Sequence, residues 1–308
     1  MSEVRPVPRE AVLIVNARSR KGRALFRRAT FQLRANGIRL IKAHAVRKAG
    51  RLIPTVKQAV RDGAPMVIVG GGDGSLSSAV DELVDRDCVF ALLPLGTANS
   101  FARTLGIPLD LDGAIQTIVT GKRRRVDLGV IDGDYFANSA AIGLSPLIGA
   151  TVPHGLKKWL GRFGYLIWSL WWIVRFRPFE LVVEADGERH EMAALEVRIA
   201  NGHFHGGVEV VDDARVDSGV VVVQAVTGRS KHRLMRNWLA VLMKDRRSKK
   251  DTVVDFHARR LRIVTDPPLP ISIDGEVLGH TPATIEVAER AIEVVVPIPP
   301  RNGEGNRK

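Results

Sequence analysis

Glycines 70, 71, 72 and 74 surround one carboxylate, Asp73, and Ser75 adds a hydroxyl directly after them. Without Cβ atoms the backbone can approach a large anion closely and take positive φ where a turn demands it. The apolar run Met66-Val67-Ile68-Val69 precedes these residues and a helical stretch over 76–84 follows, giving the order strand, glycine turn, helix. Amides that open such a helix point at an anion, and the helix dipole favours negative charge there. Phosphate would repel Asp73 unless a divalent cation or a sugar hydroxyl lay between them. The expected occupant is therefore a nucleoside triphosphate with Mg²⁺. Spacing excludes two better-known phosphate loops. No G-x-x-x-x-G-K-[ST] is present, and Ser75 falls where G-x-G-x-x-G needs its third glycine. Taken alone, the motif also fits a glycine turn that serves only the fold.

A second turn strengthens the nucleotide reading. Val89-Phe90-Ala91-Leu92-Leu93 has the composition of a buried strand, and Pro94-Leu95-Gly96-Thr97-Ala98-Asn99-Ser100-Phe101-Ala102 follows it. Gly96 permits a tight turn, Thr97 is a natural helix cap, and Asn99 and Ser100 add short polar groups. Neighbouring parallel strands place such loops side by side at their carboxyl ends. A third loop, Asn16-Ala17-Arg18-Ser19-Arg20-Lys21-Gly22, joins the strand Val12-Leu13-Ile14-Val15 to a helix over 23–34. Asn16 can bond a base or ribose edge, and Ser19 and the Gly22 amide suit phosphate. By itself that loop reads equally as a basic solvated segment.

Together these residues resemble the lipid kinase family that contains soluble bacterial diacylglycerol kinases, sphingosine kinases and ceramide kinases. Its pattern is N-P-x-S-G, then G-G-D-G-T, then P-L-G-T-x-N-D-F-A, and finally D-G-E. Here the matching residues are Asn16 and Ser19, Gly71-Gly72-Asp73-Gly74-Ser75, residues 94–102, and Asp274-Gly275-Glu276. The resemblance covers nearly the whole chain. It implies phosphoryl transfer from ATP, with Mg²⁺, to a lipid hydroxyl such as that of diacylglycerol, a sphingoid base or ceramide. It further implies that Glu276 accepts the proton and that Asp274 orients it or binds the catalytic Mg²⁺. Asp73 is the third residue expected in catalysis. Asn16, Ser19, Gly22, Gly71, Gly72, Gly74, Ser75, Thr97 and Asn99 are expected to hold the nucleotide.

Departures from the pattern matter as well. Ala17 stands where the family has proline, Ser75 replaces threonine, and Ser100 replaces aspartate. The family's D-D-G turn, whose second aspartate can hold a structural Mg²⁺, reads Asp217-Ser218-Gly219. Asn138 aligns with an asparagine of the family's second domain, and either a cleft or a core role fits it. His203 and His205 lack a third metal-binding partner nearby and read as loop residues.

The 308 residues carry 46 Lys+Arg against 33 Asp+Glu, a net charge of +13, so an anionic partner is expected. Basic patches lie at 18–28, 122–125 and 244–250. No zinc-finger spacing or RNP aromatics accompany them, so nucleic acid is not the expected partner. Lys157, Lys158 and Arg162 precede the ten-residue stretch from Tyr165 to Val174, and Arg175 and Arg177 follow it. Ten residues are far short of the ~20 a membrane span needs. Four of the five tryptophans fall between Trp159 and Trp172, a residue type that favours the headgroup level. The expectation is a cytoplasmic protein held peripherally on an anionic membrane, with a buried core helix as the other reading of that segment. Residues 1–10 carry no apolar signal core or lipidation motif. Cys88, the single cysteine, cannot form an internal disulfide, and a homodimer is left open.

Alternating apolar runs and helical stretches from residue 11 to about 120 predict an α/β domain with a parallel sheet, and the resemblance implies that it is of the NAD kinase/diacylglycerol kinase type. Many short strands beyond it, with hairpin turns at Asp132-Gly133-Asp134 and Asp186-Gly187-Glu188, predict a mainly antiparallel β-sandwich. The expected domains are 1–125 and 126–300, with a tail at 301–308. Two other functions fit parts of the pattern. One is an NAD kinase, which shares the G-G-D-G turn but not residues 94–102. The other is a basic, membrane-associated nucleotide-binding protein with a degenerate kinase site.

Overall fold

The computed structural model describes residues 5–18, 20–48, 50–151, 168, 171, 172, 175–243, 245, 247 and 250–299. The chain forms two compact units, Met1–Val126 with Arg290–Lys308, and Asp127–Glu289.

The first unit alternates strand and helix: β1 (Glu10–Asn16), α1 (Arg20–Ala35), β2 (Arg39–Val46), α2 (Leu52–Arg61), β3 (Met66–Gly71), α3 (Asp73–Val80), β4 (Val89–Pro94), α4 (Ser100–Thr104), α5 (Leu111–Thr120) and the start of β5 (Lys122–Ile131). β2, β1, β3 and β4 lie in that order and every pairing is parallel. Parallel strands covered on both faces read as unbroken apolar runs, because no position is left for a polar side chain. β3 and β4 are accordingly buried at every residue. Leu13, Ile14, Ile68, Phe90 and Leu92 form the centre of this core. α1 places Ala29 and Leu33 inward and Arg23, Arg27, Arg28 and Arg34 outward. Asp110 caps α5, its carboxylate accepting from the Gly113 amide at 2.8 Å. Cys88 is buried beside β4, and burial pushes its thiol up to about 12.

Two helix starts differ from expectation. α3 begins at Asp73 rather than 76 and ends at Val80, with a 3₁₀ turn over Asp81–Leu83. α1 begins at Arg20 rather than 23. In both, the polar loop residues already form the first helical turn, so the apolar periodicity lags behind the true start.

The second unit contains β6 (Asp134–Phe136), β7 (Ser139–Gly143), α6 (Leu144–Thr151), β8 (Phe179–Ala185), β9 (Glu188–Ala200), β10 (Phe204–His205), β11 (Val208–Glu209), β12 (Val221–Thr227), α7 (Lys231–Met243), β13 (Val253–Ala258), β14 (Arg260–Asp266), β15 (Pro270–Ile273), β16 (Glu276–His280) and most of β17 (Ala283–Val296). Its strands pair antiparallel, as the β-sandwich reading expects. The core includes Leu181, Val183, Leu195, Val197, Ile199, Val223, Ile263 and Ile285. Hairpin turns fall at Asp132-Gly133 and Asp186-Gly187, where both residues of each pair take positive φ. Asp274-Gly275 makes the same kind of turn between β15 and β16, with φ of 46° and 96°.

Much of the Trp-rich stretch lies outside the described residues, Trp159 included. Trp168 and Trp172 pack partly buried against the sandwich core, while Trp171 is 43% exposed. The Trp171 ring stacks on Trp168 and carries the Arg175 guanidinium at 4.9 Å.

Candidate active site

In the first unit the carboxyl ends of three strands come together. Val15 of β1 is in register with Gly70 of β3, and Gly71 with Pro94 of β4. Three loops therefore leave the sheet side by side. Asn16 ends β1 and donates from Nδ2 to Ser75 Oγ at 3.3 Å. Asp73 opens α3, and its carboxylate receives the amide of Asn99 at 2.8 Å and that of Ser100 at 2.5 Å. Asn99 is left-handed, with φ 51°, and its side chain closes on the Gly96 amide and carbonyl.

Glycine is required here by contact rather than by φ, since none of Gly70, Gly71, Gly72, Gly74 or Gly96 has a positive value. A Cβ on Gly96 would stand 2.5 Å from the Gly72 Cα, and one on Gly71 would stand 2.6 Å from the Ser75 Cβ. The two glycine turns touch backbone to backbone. A cavity of about 500 Å³ opens beside them, with Asn16, Arg18, Gly22, Gly71, Gly72 and Leu95 in its lining. The amides of Gly72, Asp73 and Gly74 lie at the start of α3, where intrahelical acceptors do not exist. Such a site suits a polyphosphate. Thr97 and Gly74 are exposed on their turns. Ser19 lies outside the described residues.

The departures from the family pattern have local physical readings. The Ala17 amide donates to Val46 O at 2.8 Å, a bond that proline could not make. Ser100 meets Asp73 through its main chain, so that contact does not require the family's aspartate side chain.

In the second unit, the Asp274 carboxylate accepts the amides of Ala137, Asn138 and Ser139 at 2.9, 3.2 and 3.1 Å. The anion fixes the β15–β16 turn onto the start of β7. Glu276, two residues on, is exposed at the first position of β16. Asn138 is buried, and its carbonyl accepts the amides of Asn201 and Gly202. His205 Nδ1, at the end of β10, pairs with Ser139 Oγ at 2.6 Å, and His203 Nδ1 in the preceding loop pairs with Val211 O at 3.4 Å.

Among the described residues no group of three His, Cys, Asp or Glu could hold a metal. Asp73 and Asp274 each spend both oxygens on amide donors. At the Asp217-Ser218-Gly219 turn, Ser218 Oγ bonds Arg215 O and Val220 O, and the Gly219 amide donates to Asp127. The described residues therefore gather no preformed Mg²⁺ cage at any of these turns, Asp274 included.

A second cavity, of about 300 Å³, lies wholly inside the second unit. Ala141, Ala200, Phe204, Val210, Trp238 and Val241 give it an apolar wall, and Ser139 and His205 also line it. Two charges are buried in that wall. Arg198 Nε donates to Glu196 Oε1 at 2.9 Å and Nη1 to Gln224 Oε1 at 3.4 Å, and Trp238 Nε1 donates to Glu196 Oε2 at 3.1 Å. Sequence reading missed this network. Its signal is a pair of charges two positions apart inside the apolar second half of β9, which puts both on one face. It also missed Asn201, fully buried, whose Nδ2 holds the carbonyls of Asp127 and Ala137.

Two touching glycine turns on a parallel sheet, in a chain whose second unit is an antiparallel sandwich, define a kinase-type phosphotransferase. Residues 10–131 match the diacylglycerol kinase catalytic domain, and residues 139–296 match the YegS C-terminal NAD kinase beta sandwich-like domain. The chain belongs to the diacylglycerol kinase and YegS-like lipid kinase family, whose members transfer phosphate to an alcohol group. A probable lipid kinase YegS-like of Enterobacter sp. (strain 638) is 29% identical over 94% of this chain and 96% of its own length. A diacylglycerol kinase of Staphylococcus aureus (strain JH9) is 28% identical over 94% and 93%. The crystal structure of a diacylglycerol kinase from Bacillus anthracis str. Sterne aligns with a TM-score of 0.72 over 94% of this chain and 97% of its own, at 20% identity. Another chain from that organism aligns at 0.79 over 96% and 98%, at 22% identity. These last two establish the fold.

Proposed function

We propose that the protein transfers the γ-phosphate of ATP, supplied as its Mg²⁺ complex, to the hydroxyl of a membrane lipid, with diacylglycerol or a related lipid alcohol as acceptor. The observation that carries this reading is the contact between the two glycine turns, held by Asp73 against the Asn99 and Ser100 amides. That construction leaves bare main-chain amides around a cavity large enough for a triphosphate. Mg²⁺ enters as part of the nucleotide substrate, in keeping with the lack of a resident cage among the described residues.

Phosphoryl transfer asks a protein for positioning and charge stabilisation. Asn16, Gly22, Gly71, Gly72 and Ser75 position the phosphates, and Asp73 keeps the turn that carries Thr97 in place. Glu276 takes the proton from the acceptor hydroxyl as its oxygen bonds the γ-phosphorus and the bond to the ADP oxygen breaks. Asp274 is the positioning residue for that turn. The 300 Å³ cavity, at the small end of ligand-site volumes, receives one hydrocarbon chain of the acceptor. The protein works at an anionic membrane surface, to which its +13 charge draws it. No helix among the described residues is long and apolar enough to cross a membrane.

The test is incubation of the purified chain with γ-labelled ATP, Mg²⁺ and a mixed lipid extract. Label is expected in one or a few lipid products. An extract that stays unlabelled, with protein shown by calorimetry to be folded, overturns the assignment.

A further inference from the structure

The apolar cavity of the second unit is floored by a patch of sheet from which bulk is missing. Across β7 and β9, Ser139 pairs with Ala200 and Ala141 with Arg198, and Glu196 lies two positions from Arg198 on the same face. All five line the cavity. Ser139, Ala141 and Ala200 are small and leave the space, whereas the two long side chains on that floor are charged. Glu196 and Arg198 are only 3% and 8% exposed.

Their hydrogen bonds leave an imbalance. Glu196 Oε1 accepts from Arg198 Nε at 2.9 Å and Oε2 from Trp238 Nε1 at 3.1 Å, while Arg198 Nη1 donates to Gln224 Oε1 at 3.4 Å. A guanidinium carries five N–H donors, and among the described residues Nη2 bonds nothing. Both carboxylate oxygens thus already face a donor, and the cation still has donors to give. Buried polar groups ordinarily find a partner, so an occupant of this cavity should bring an oxygen acceptor to Arg198. A neutral acceptor suits it. Glu196 already balances the charge of Arg198, so a carboxylate or phosphate would bury an uncompensated anion, and an ammonium would meet a guanidinium. A carbonyl at the head of a hydrocarbon chain supplies the lone pairs, the neutrality and the apolar continuation.

Position agrees with chemistry. Ser272, Ala141, Arg198 and Gln224 form one row across β15, β7, β9 and β12. Arg198 therefore stands two strand spacings, about 10 Å, from Ser272, and Ser272 is two residues from Asp274, whose turn leads into Glu276. In an acylated lipid alcohol only a few bonds separate the reacting hydroxyl from the first carbonyl. A hydroxyl held at Glu276 brings that carbonyl toward Arg198 and its chain into the cavity.

We propose that Arg198 is a specificity-determining residue of the acceptor site, its Nη2 donating to the carbonyl oxygen of the acyl chain that enters the cavity. The protein thereby takes acylated lipid alcohols in preference to alkyl ethers and free long-chain bases. This rests on the reading of the cavity as the place of the acceptor's chain and adds what the chain must carry.

The experiment compares dioleoylglycerol with its di-O-oleyl ether, which lacks only the two carbonyls, in mixed detergent micelles with γ-labelled ATP and Mg²⁺. Wild type is expected to favour the ester by about tenfold or more in kcat/KM, chiefly through KM. In Glu196→Gln/Arg198→Met, checked for folding by urea titration, the ratio should fall to about one. A merely structural role for the pair would lower both acceptors alike and keep the ratio. Ceramide and sphingosine extend the comparison. Turnover of diacylglycerol without ceramide assigns the carbonyl to an ester, and turnover of ceramide as well admits an amide. Equal kcat/KM for ester and ether in wild type, an ester preference that survives in the double variant, or sphingosine as the best acceptor would each overturn the proposal and leave the kinase reading standing. Failure of wild type to phosphorylate any of the four would remove both.

Discussion

The Asn99 amide donates to Asp73 Oδ2 at 2.8 Å across 26 residues of sequence, and Asn99 itself sits in the left-handed region. Asp73 thus acts first as a brace between two glycine turns. Both oxygens are committed, and a neutral side chain of the same shape cannot accept at both, so Asp73→Asn leaves one backbone N–H facing another donor. A buried donor without its partner costs about 1–3 kcal/mol. The Asp73→Asn and Asp73→Ala proteins should remain folded by circular dichroism, yet lose ATP-dependent lipid phosphorylation by about 10²-fold or more. Wild-type turnover in either would remove Asp73 from the nucleotide assignment.

Gly96→Ala tests the contact between the turns directly. The new Cβ would stand 2.5 Å from the Gly72 Cα and 2.8 Å from Asn99 Oδ1. Backbone must shift to admit it, at about 1–3 kcal/mol. Calorimetry should record a thermal midpoint several degrees lower and nucleotide affinity reduced with it. Gly133→Ala is the control. Nothing lies within 4 Å of its Cβ but its φ is +101°, so it should strain a distant turn without touching nucleotide binding.

The sequence made the first unit's sheet and turns readable because parallel strands leave their apolar runs unbroken and glycine contacts are local in the motif. It offered the glycines both close approach and positive φ, and only the structure separates these, since φ cannot be read from composition; here they serve close approach. The anchoring of Asp274 could not be read at all, because its three donors lie 135 to 137 residues away. The β16 strand escaped notice because Glu276-Val277-Leu278 is an exposed edge with no buried face to impose alternation. Glu196 and Arg198 were hidden for the converse reason. Charges at alternate positions of a strand normally mark the solvent face, and here that face is closed over by α7 and the β10–β11 loop.

Burial of Cys88 fixes a pH dependence. Its thiol is pushed up to about 12 in the folded chain, well above the range of a free thiol, because desolvation disfavours the thiolate. Between that range and the raised value the unfolded chain releases a proton that the folded chain keeps. Stability is therefore whole below about pH 9 and declines as pH rises toward 12, by up to ~1.4 kcal/mol per pH unit from this group. Iodoacetamide at pH 8.5 should leave the native protein unmodified and alkylate it once urea unfolds it. Rapid native labelling would show the thiol to be accessible.

Breaking the buried Glu196–Arg198 pair should be costly in a way that removing both charges is not. Arg198→Met strands the Glu196 carboxylate with only the Trp238 indole, and an uncompensated buried charge costs about 3–5 kcal/mol. Glu196→Gln/Arg198→Met should recover most of that loss in urea titrations. Equal destabilisation by the single and double variants would mean the pair is open to water.

Asp274 and Glu276 stand two residues apart and should separate cleanly by experiment. Asp274 is held by three backbone amides, so Asp274→Ala removes charge-assisted bonds worth about 1.5–3 kcal/mol each and should lower the melting midpoint together with turnover. Glu276 is exposed, and among the described residues it makes no side-chain bond whose loss would be felt in folding. Glu276→Gln should melt within about 0.5 kcal/mol of wild type. Its kcat should nonetheless fall by about 10²–10⁴-fold if that carboxylate takes the acceptor's proton. ATP affinity should be unchanged in Glu276→Gln, since the nucleotide residues all belong to the first unit. A Glu276→Gln protein with wild-type kcat would move the proton to another base, while a drop in stability equal to that of Asp274→Ala would mean the turn as a whole, and not the carboxylate, had been lost.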